Sequence, residues 1–107
     1  MYFCVTWNVV VLPRAHRDYL YALEYLSGFY PGTPLRFRGE YKKRLSQLEG
    51  NPLSCPVYYA FPDYRRALIG KYTMLYKIDD ERHEVHIHRI LRSNWDIPRR
   101  LQEEEEE

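Results

Sequence analysis

Cysteine is nearly missing from this chain: Cys4 and Cys55 are the only two among 107 residues. Two thiols with no spacing pattern exclude a disulfide framework or a cysteine-based zinc site. Reduced cytosolic thiols are the simplest reading. Long apolar runs are missing too. No stretch approaches the roughly 18 apolar residues of a membrane span, and the N-terminus lacks the basic start and apolar core of a secretory leader. The expected location is the cytoplasm, without a membrane partner. Net charge is almost absent as well, at +1. Any chemistry directed at a polyanion must therefore come from local placement of cations.

The charge that is present is unevenly spread. Five glutamates close the sequence, and without them 16 basic residues face 10 acidic ones. The expectation is one basic domain over residues 1–102 and a solvated, irregular acidic tail over 103–107. That tail could fold back on a basic face and compete with a polyanion. A hydrophobic share of 45% excludes disorder for most of the length. Aromatics make up 16%, carried mainly by 11 tyrosines, which suit core edges and interfaces.

Residues 2–12, YFCVTWNVVVL, are β-branched and aromatic and predict a strand. Pro13 ends it and suits the first position of a helix. Ala15, Tyr19, Ala22, Leu23 and Leu26 then form one apolar helical stripe, stopped by Gly28 and Tyr30-Pro31-Gly32. Thr33 is the expected N-cap of a second helix and Pro34 its first residue. Its stripe is Phe37, Tyr41, Leu45 and Leu48, closed by Gly50-Asn51-Pro52. The short linker predicts antiparallel packing. A proline-rich loop over 51–63 leads to two strands, 64–71 and 72–79. On the first, Arg65, Ala67 and Ile69 share a face opposite Arg66 and Leu68; on the second, Tyr72, Met74, Tyr76 and Ile78 align. A fourth strand holds Val85, Ile87 and Ile90, and the three-residue step predicts a bulge or twist near His88-Arg89. Ile97 and Leu101 fit a short last helix or strand. The predicted class is α+β, in the order β-α-α-β-β-β: an N-terminal strand and an antiparallel helical hairpin packed on a small, mostly antiparallel sheet.

This order, with particular residues, resembles the RelE/ParE toxin superfamily of type II toxin–antitoxin modules over roughly residues 5–97. LPRAHRDY is similar to the family's first-helix pattern through Pro13, Ala15 and Asp18. LSQLEGNP is similar to the leucine-rich end of the second helix followed by Asn-Pro, through Leu45, Leu48, Asn51 and Pro52. YRRALIGKYTMLYKID resembles the central strand pair, and VHIHRILRSNWD the closing strand with the aspartate after it. The resemblance implies the fold above, neutralisation by a labile antitoxin whose C-terminal segment lies across the toxin, and one of two targets. RelE-like members cleave mRNA in the ribosomal A site; ParE-like members poison DNA gyrase. The likeness leans to the ParE-like side. Arg92 stands where many members carry a histidine after the Ile-Leu pair, and Trp95 where a basic residue is frequent.

Metal-free RNA cleavage needs a base for the 2′-hydroxyl, an acid for the leaving oxygen and cations for the phosphorane. The catalytic candidates are Arg65, Arg92 and His88, with His86 two positions away. Candidates for gripping a target or antitoxin are Arg66, Lys71, Arg89, Trp95 and Tyr64, with the arginines converging on the uncovered sheet face. Against this stands an ordinary solvated face whose arginines pair with Asp63, Asp79 or Glu84. His86-x-His88 with His83 nearby suggests a transition metal, but no cysteine or carboxylate has convincing spacing. No metal or cofactor is expected. Expected partners are a cognate antitoxin and either gyrase or the ribosome with its mRNA. A homodimer or a hetero-oligomer with antitoxin could form through an exposed sheet edge.

Overall fold

In the computed structural model, residues 6–29 and 32–105 are described, the last three in backbone only. The order is β1 (Asn8–Val11), α1 (Pro13–Leu26), α2 (Thr33–Gly50), β2 (Arg65–Ile69), β3 (Tyr72–Asp79), β4 (Glu84–Arg92) and α3 (Ile97–Glu105), with a short 3-10 turn at Pro52–Ser54. The sheet runs β1-β4-β3-β2, with β1 parallel to β4 and the other pairs antiparallel. This is the α+β architecture the sequence predicts.

Pro13 sits at the start of α1, and Ala15, Tyr19 and Ala22 are its buried residues. On α2 these are Phe37, Tyr41 and Leu48. Tyr19 stacks on Tyr41 with ring centroids 4.1 Å apart and on Phe37 at 5.9 Å. Thr33 is the first helical residue of α2, not its cap; Gly32 holds the cap position without a side-chain hydrogen bond. Asn51 ends the helix in extended backbone, and its side chain accepts the Leu53 N–H at 3.1 Å. Tyr30 and Pro31 of the expected stop lie outside the described residues, as does the stretch 2–5 of the expected first strand. Within the described part that strand is confined to Asn8–Val11.

The hairpin covers one sheet face, burying Ala67, Ile69, Tyr72, Met74, Tyr76, Val85, Ile87 and Ile90. Gly70 takes φ +56° at the first position of the two-residue β2–β3 turn, where a positive φ suits the twist of the flanking strands. The pairing of β3 with β4 shifts between Leu75 and Tyr76: Leu75 faces Arg89 while Tyr76 faces Ile87. His88 is thus the extra residue of a bulge, at the three-residue step legible in the sequence.

The opposite face is not open. Tyr58, Tyr64, Leu75, Leu91, Ile97 and Leu101 form a second buried cluster there, with Ala60 and Phe61 against it. Helix α3 and the strap over 57–64 supply its outer layer. The strap is closed on itself by Tyr58 N–H to the Tyr64 carbonyl at 2.8 Å, and the chain just before it is tied to β2 by Arg66 N–H to the Pro56 carbonyl at 3.0 Å. Further along the same edge, Arg44 of α2 donates to the Leu68 carbonyl at 2.8 and 3.2 Å. The glutamate run, expected to be irregular from 103, continues as helical backbone to Glu105; residues 106 and 107 lie outside the described part. Among the described residues, no helix is long and apolar enough to cross a membrane.

Candidate functional site

At the β2–β3 turn end of the sheet, backbone hydrogen bonding fixes a set of cations among exposed aromatic rings. The Ser93 N–H donates to the Lys71 carbonyl at 2.9 Å, and the Thr73 and Ser93 hydroxyls lie 2.8 Å apart. These links tie the β4 exit to the turn. Arg92, the last residue of β4, pairs with Tyr72 across the ladder. Its guanidinium lies over the Tyr25 ring of α1, 4.8 Å from the centroid, a favourable cation–π placement. Trp95 is held by its backbone N–H, which donates to the Arg92 carbonyl at 3.0 Å, and the Arg100 guanidinium of α3 lies over its ring at 4.2 Å.

Two grooves meet at Arg92. One, of about 430 Å³, lies between the hairpin and the turn and is lined by Tyr25, Phe29, Arg36, Phe37, Lys71 and Tyr72 among others. The other, of about 310 Å³, includes Tyr21, Tyr25, Arg92, Trp95 and Arg100. Burial raises the Tyr72 phenol, with the Arg92 charge opposing and Tyr25 adding to the rise, so Tyr72 stays protonated at neutral pH. Tyr21 is 64% exposed, Phe29 54%, Tyr25 47% and Trp95 41%. Large rings this open beside several cations form a surface suited to an acidic, partly apolar macromolecule.

The catalytic candidates do not converge. Arg65 donates from Nη1 to the Cys55 carbonyl at 2.7 Å and lines a separate pocket with Trp7, Asp63 and Asp80. Arg65 pairs with Tyr76, and Arg92 with Tyr72, on opposite sides of β3. Four strand positions at ~3.3 Å and two strand spacings at ~4.8 Å put their backbones about 16 Å apart. His88 lies elsewhere, edge-on to Tyr64 at 5.3 Å between centroids. Burial, then the charges of Lys77 and His86, lower its pKa to about 4. It is a neutral imidazole at pH 7, without the proton a general acid needs.

The expected binding set also divides. Lys71, Arg92 and Trp95 come together at the grooves. Arg66 stands apart beside Tyr58, whose phenol is raised by burial, by Tyr59 and by Asp96, with Arg66 opposing. Tyr64 is 1% exposed and Arg89 is 8% exposed. Tyr64 is a core ring of the outer cluster, with the Lys77 ammonium 4.5 Å from its centroid. Arg89 is committed to Asp18 at 2.7 Å. The expected convergence of four arginines on an open sheet face is corrected accordingly: that face is filled by α3 and the strap. The sequence reading missed Tyr21, Tyr25, Phe29, Arg36 and Arg100. A signal was available in Tyr21, Tyr25 and Phe29, which recur every four residues off the apolar stripe of α1, where a water-facing surface favours polar side chains.

Comparison with known proteins agrees with this architecture. The chain is similar to the toxin–antitoxin complex RelBE2 from Mycobacterium tuberculosis, at 26% identity and TM-score 0.57, covering 82% of this chain and 99% of that one. It is similar in fold to a mutant E. coli RelE toxin in the free state, at 15% identity and TM-score 0.62, covering 89% and 92%. The isolated E. coli RelE toxin gives 14% identity and TM-score 0.58, covering 92% and 97%. No curated protein matches the chain in sequence. Residues 9–96 match the family described as the ParE toxin of the type II toxin–antitoxin system, parDE. The chain therefore belongs to the ParE toxin family.

Proposed function

We propose that this chain inhibits growth by binding a macromolecular target, DNA gyrase in the ParE-like manner, and that a cognate antitoxin neutralises it in the cytoplasm. The observation that carries this reading is the separation of Arg65, His88 and Arg92 over about 16 Å of sheet, set against the gathering of Lys71, Arg92 and Trp95 with exposed tyrosines. A scissile phosphate needs its acid, base and cations within one hydrogen-bonding shell. A docking surface needs aromatic anchors and a polar rim. Arg36, Lys71, Arg92 and Arg100 around Tyr21, Tyr25, Phe29 and Trp95 supply those elements. The same surface suits an acidic, amphipathic antitoxin segment, so target and antitoxin would compete for it.

The test is controlled expression of the chain with and without its cognate antitoxin, with message integrity followed in the same cultures. Growth arrest that is relieved by the antitoxin, with intact message, is the expected result. Arrest accompanied by cleavage at ribosome-bound codons would instead support a ribosome-dependent endoribonuclease. Growth at the normal rate would support a decayed, non-toxic binding module.

A further inference from the structure

Asp79 and Glu84 face each other directly across the β3–β4 ladder. His86 lies two positions beyond Glu84 on β4, on the same face as Glu84 by strand alternation. Asp79, Glu84 and His86 each offer a ligand atom, and all three atoms lie within 4.8 Å of one another. His86 Nε2 and Glu84 Oε1 are 2.9 Å apart. The two side chains of that pair are about a quarter exposed, so the donors are partly dried but reachable. We infer that this triad is a binding site for a divalent transition metal ion, with Zn²⁺ as its ligand.

The donor chemistry selects the metal. One imidazole and two carboxylates suit zinc and its neighbours, whereas magnesium and calcium are hard cations that take oxygen ligands, so the imidazole nitrogen disfavours them. Zinc bonds of roughly 2.0–2.2 Å in a tetrahedron hold donor atoms about 3.3–3.6 Å apart. The triad reaches that spacing by small side-chain rotations, because a metal in place of the shared proton of the His86–Glu84 pair widens 2.9 Å toward it. The neighbouring cations leave room. The Lys77 ammonium, opposite His86 in the ladder, sits over the Tyr64 ring. Arg82 touches Asp79 Oδ2 only at 3.9 Å and is 75% exposed, a weak pair that a metal displaces. Asp79 Oδ1 accepts the Arg82 backbone N–H at 3.2 Å, which orients the carboxylate while Oδ2 ligates.

Three protein ligands leave the fourth position to water or to a donor from a partner. The bound ion clips the two strands together at the mouth of their turn. No single stretch of sequence announces the site, because Asp79 comes from the other strand.

The experiment uses the tag-free full chain at pH 7.5, titrated with ZnCl₂ by calorimetry and with CoCl₂ by visible absorption, and compares Asp79→Asn, Glu84→Gln, His86→Gln and the control His16→Gln. The account expects one ion per chain at roughly micromolar affinity, below that of closed four-ligand sites. It also expects a tetrahedral Co²⁺ spectrum, a rise in Tm with zinc and none with MgCl₂. Each triad substitution should weaken binding at least tenfold, and His16→Gln should not. Circular dichroism of each variant shows that it is folded, so loss of binding reports the ligand set. Absence of binding by the wild type, or binding that survives in all three folded triad variants, would overturn the inference.

Discussion

Asp18 of α1 holds Arg89 of β4 by two hydrogen bonds, 2.7 Å from Nε to Oδ2 and 3.2 Å from Nη2 to Oδ1. The same Oδ2 accepts the Ile90 backbone N–H at 3.0 Å. Strand β1 pairs with β4 only as far as Ile87. Beyond that point Asp18 covers the β4 edge in place of a strand, and it fixes where the hairpin meets the sheet.

Replacing Asp18 by Ala takes two hydrogen bonds and a counter-charge from a buried guanidinium and removes the acceptor of the Ile90 N–H. The expected cost is about 3–5 kcal/mol, measured by urea denaturation. Asp18→Asn keeps a carbonyl oxygen for the backbone donor and should cost less. Adding Arg89→Met to Asp18→Ala should recover part of the loss, because the buried charge that had lost its Asp18 partner is gone. Strictly additive losses would contradict the pairing.

His88 makes stability depend on acid. Its unfolded imidazole titrates near 6.5 and its folded one near 4, lowered by burial and then by Lys77 and His86. The unfolded chain therefore takes up the proton first. This contribution is fully present above about pH 6.5, falls as the pH drops to about 4, and is lost below that. The Tm of the wild type should decline across this window more steeply than that of His88→Gln. Parallel curves would contradict the assignment.

Tyr76 donates its buried hydroxyl to the Pro52 carbonyl at 2.6 Å, linking β3 to the turn after α2. Burial and the nearby Cys55 raise this phenol well above its ordinary range, so it remains a donor throughout. Tyr76→Phe should destabilise by about 1–3 kcal/mol through the orphaned carbonyl. An unchanged urea midpoint would mean that water replaces the bond.

The groove residues should separate function from stability. Tyr25→Ala, Arg92→Ala and Trp95→Ala remove partly exposed side chains, so each should shift the urea midpoint only slightly. Each should weaken antitoxin binding by about tenfold or more, as truncated aromatic and arginine anchors do. Arg66→Ala, outside the lining of both grooves, should bind as the wild type does. Equal effects at Arg66 and Arg92 would contradict a localised surface.

How much of this was legible beforehand follows from the range of each interaction. The stripes Ala15-Tyr19-Ala22 and Phe37-Tyr41-Leu48 and the irregularity at His88 are local periodicities, and they appear where the sequence placed them. The N-cap was misplaced by one residue because Gly32 and Thr33 both suit a cap. The Asp18–Arg89 tie spans 71 positions, and no spacing rule reaches that far. Leu75 and Leu91 were legible as strand residues, but not that Ile97 and Leu101 would cover them. That missing layer is why an open cationic face was expected. The grooves escaped for the same reason: α1, β4 and α3 each supply part of a surface that exists only after they meet.

The most direct test of the central claim is supercoiling by purified DNA gyrase with the full chain added at stoichiometric and tenfold excess. The account predicts loss of supercoiling that the antitoxin restores and that Trp95→Ala weakens. Undiminished supercoiling at tenfold excess, from a preparation that still arrests growth when expressed, would contradict it.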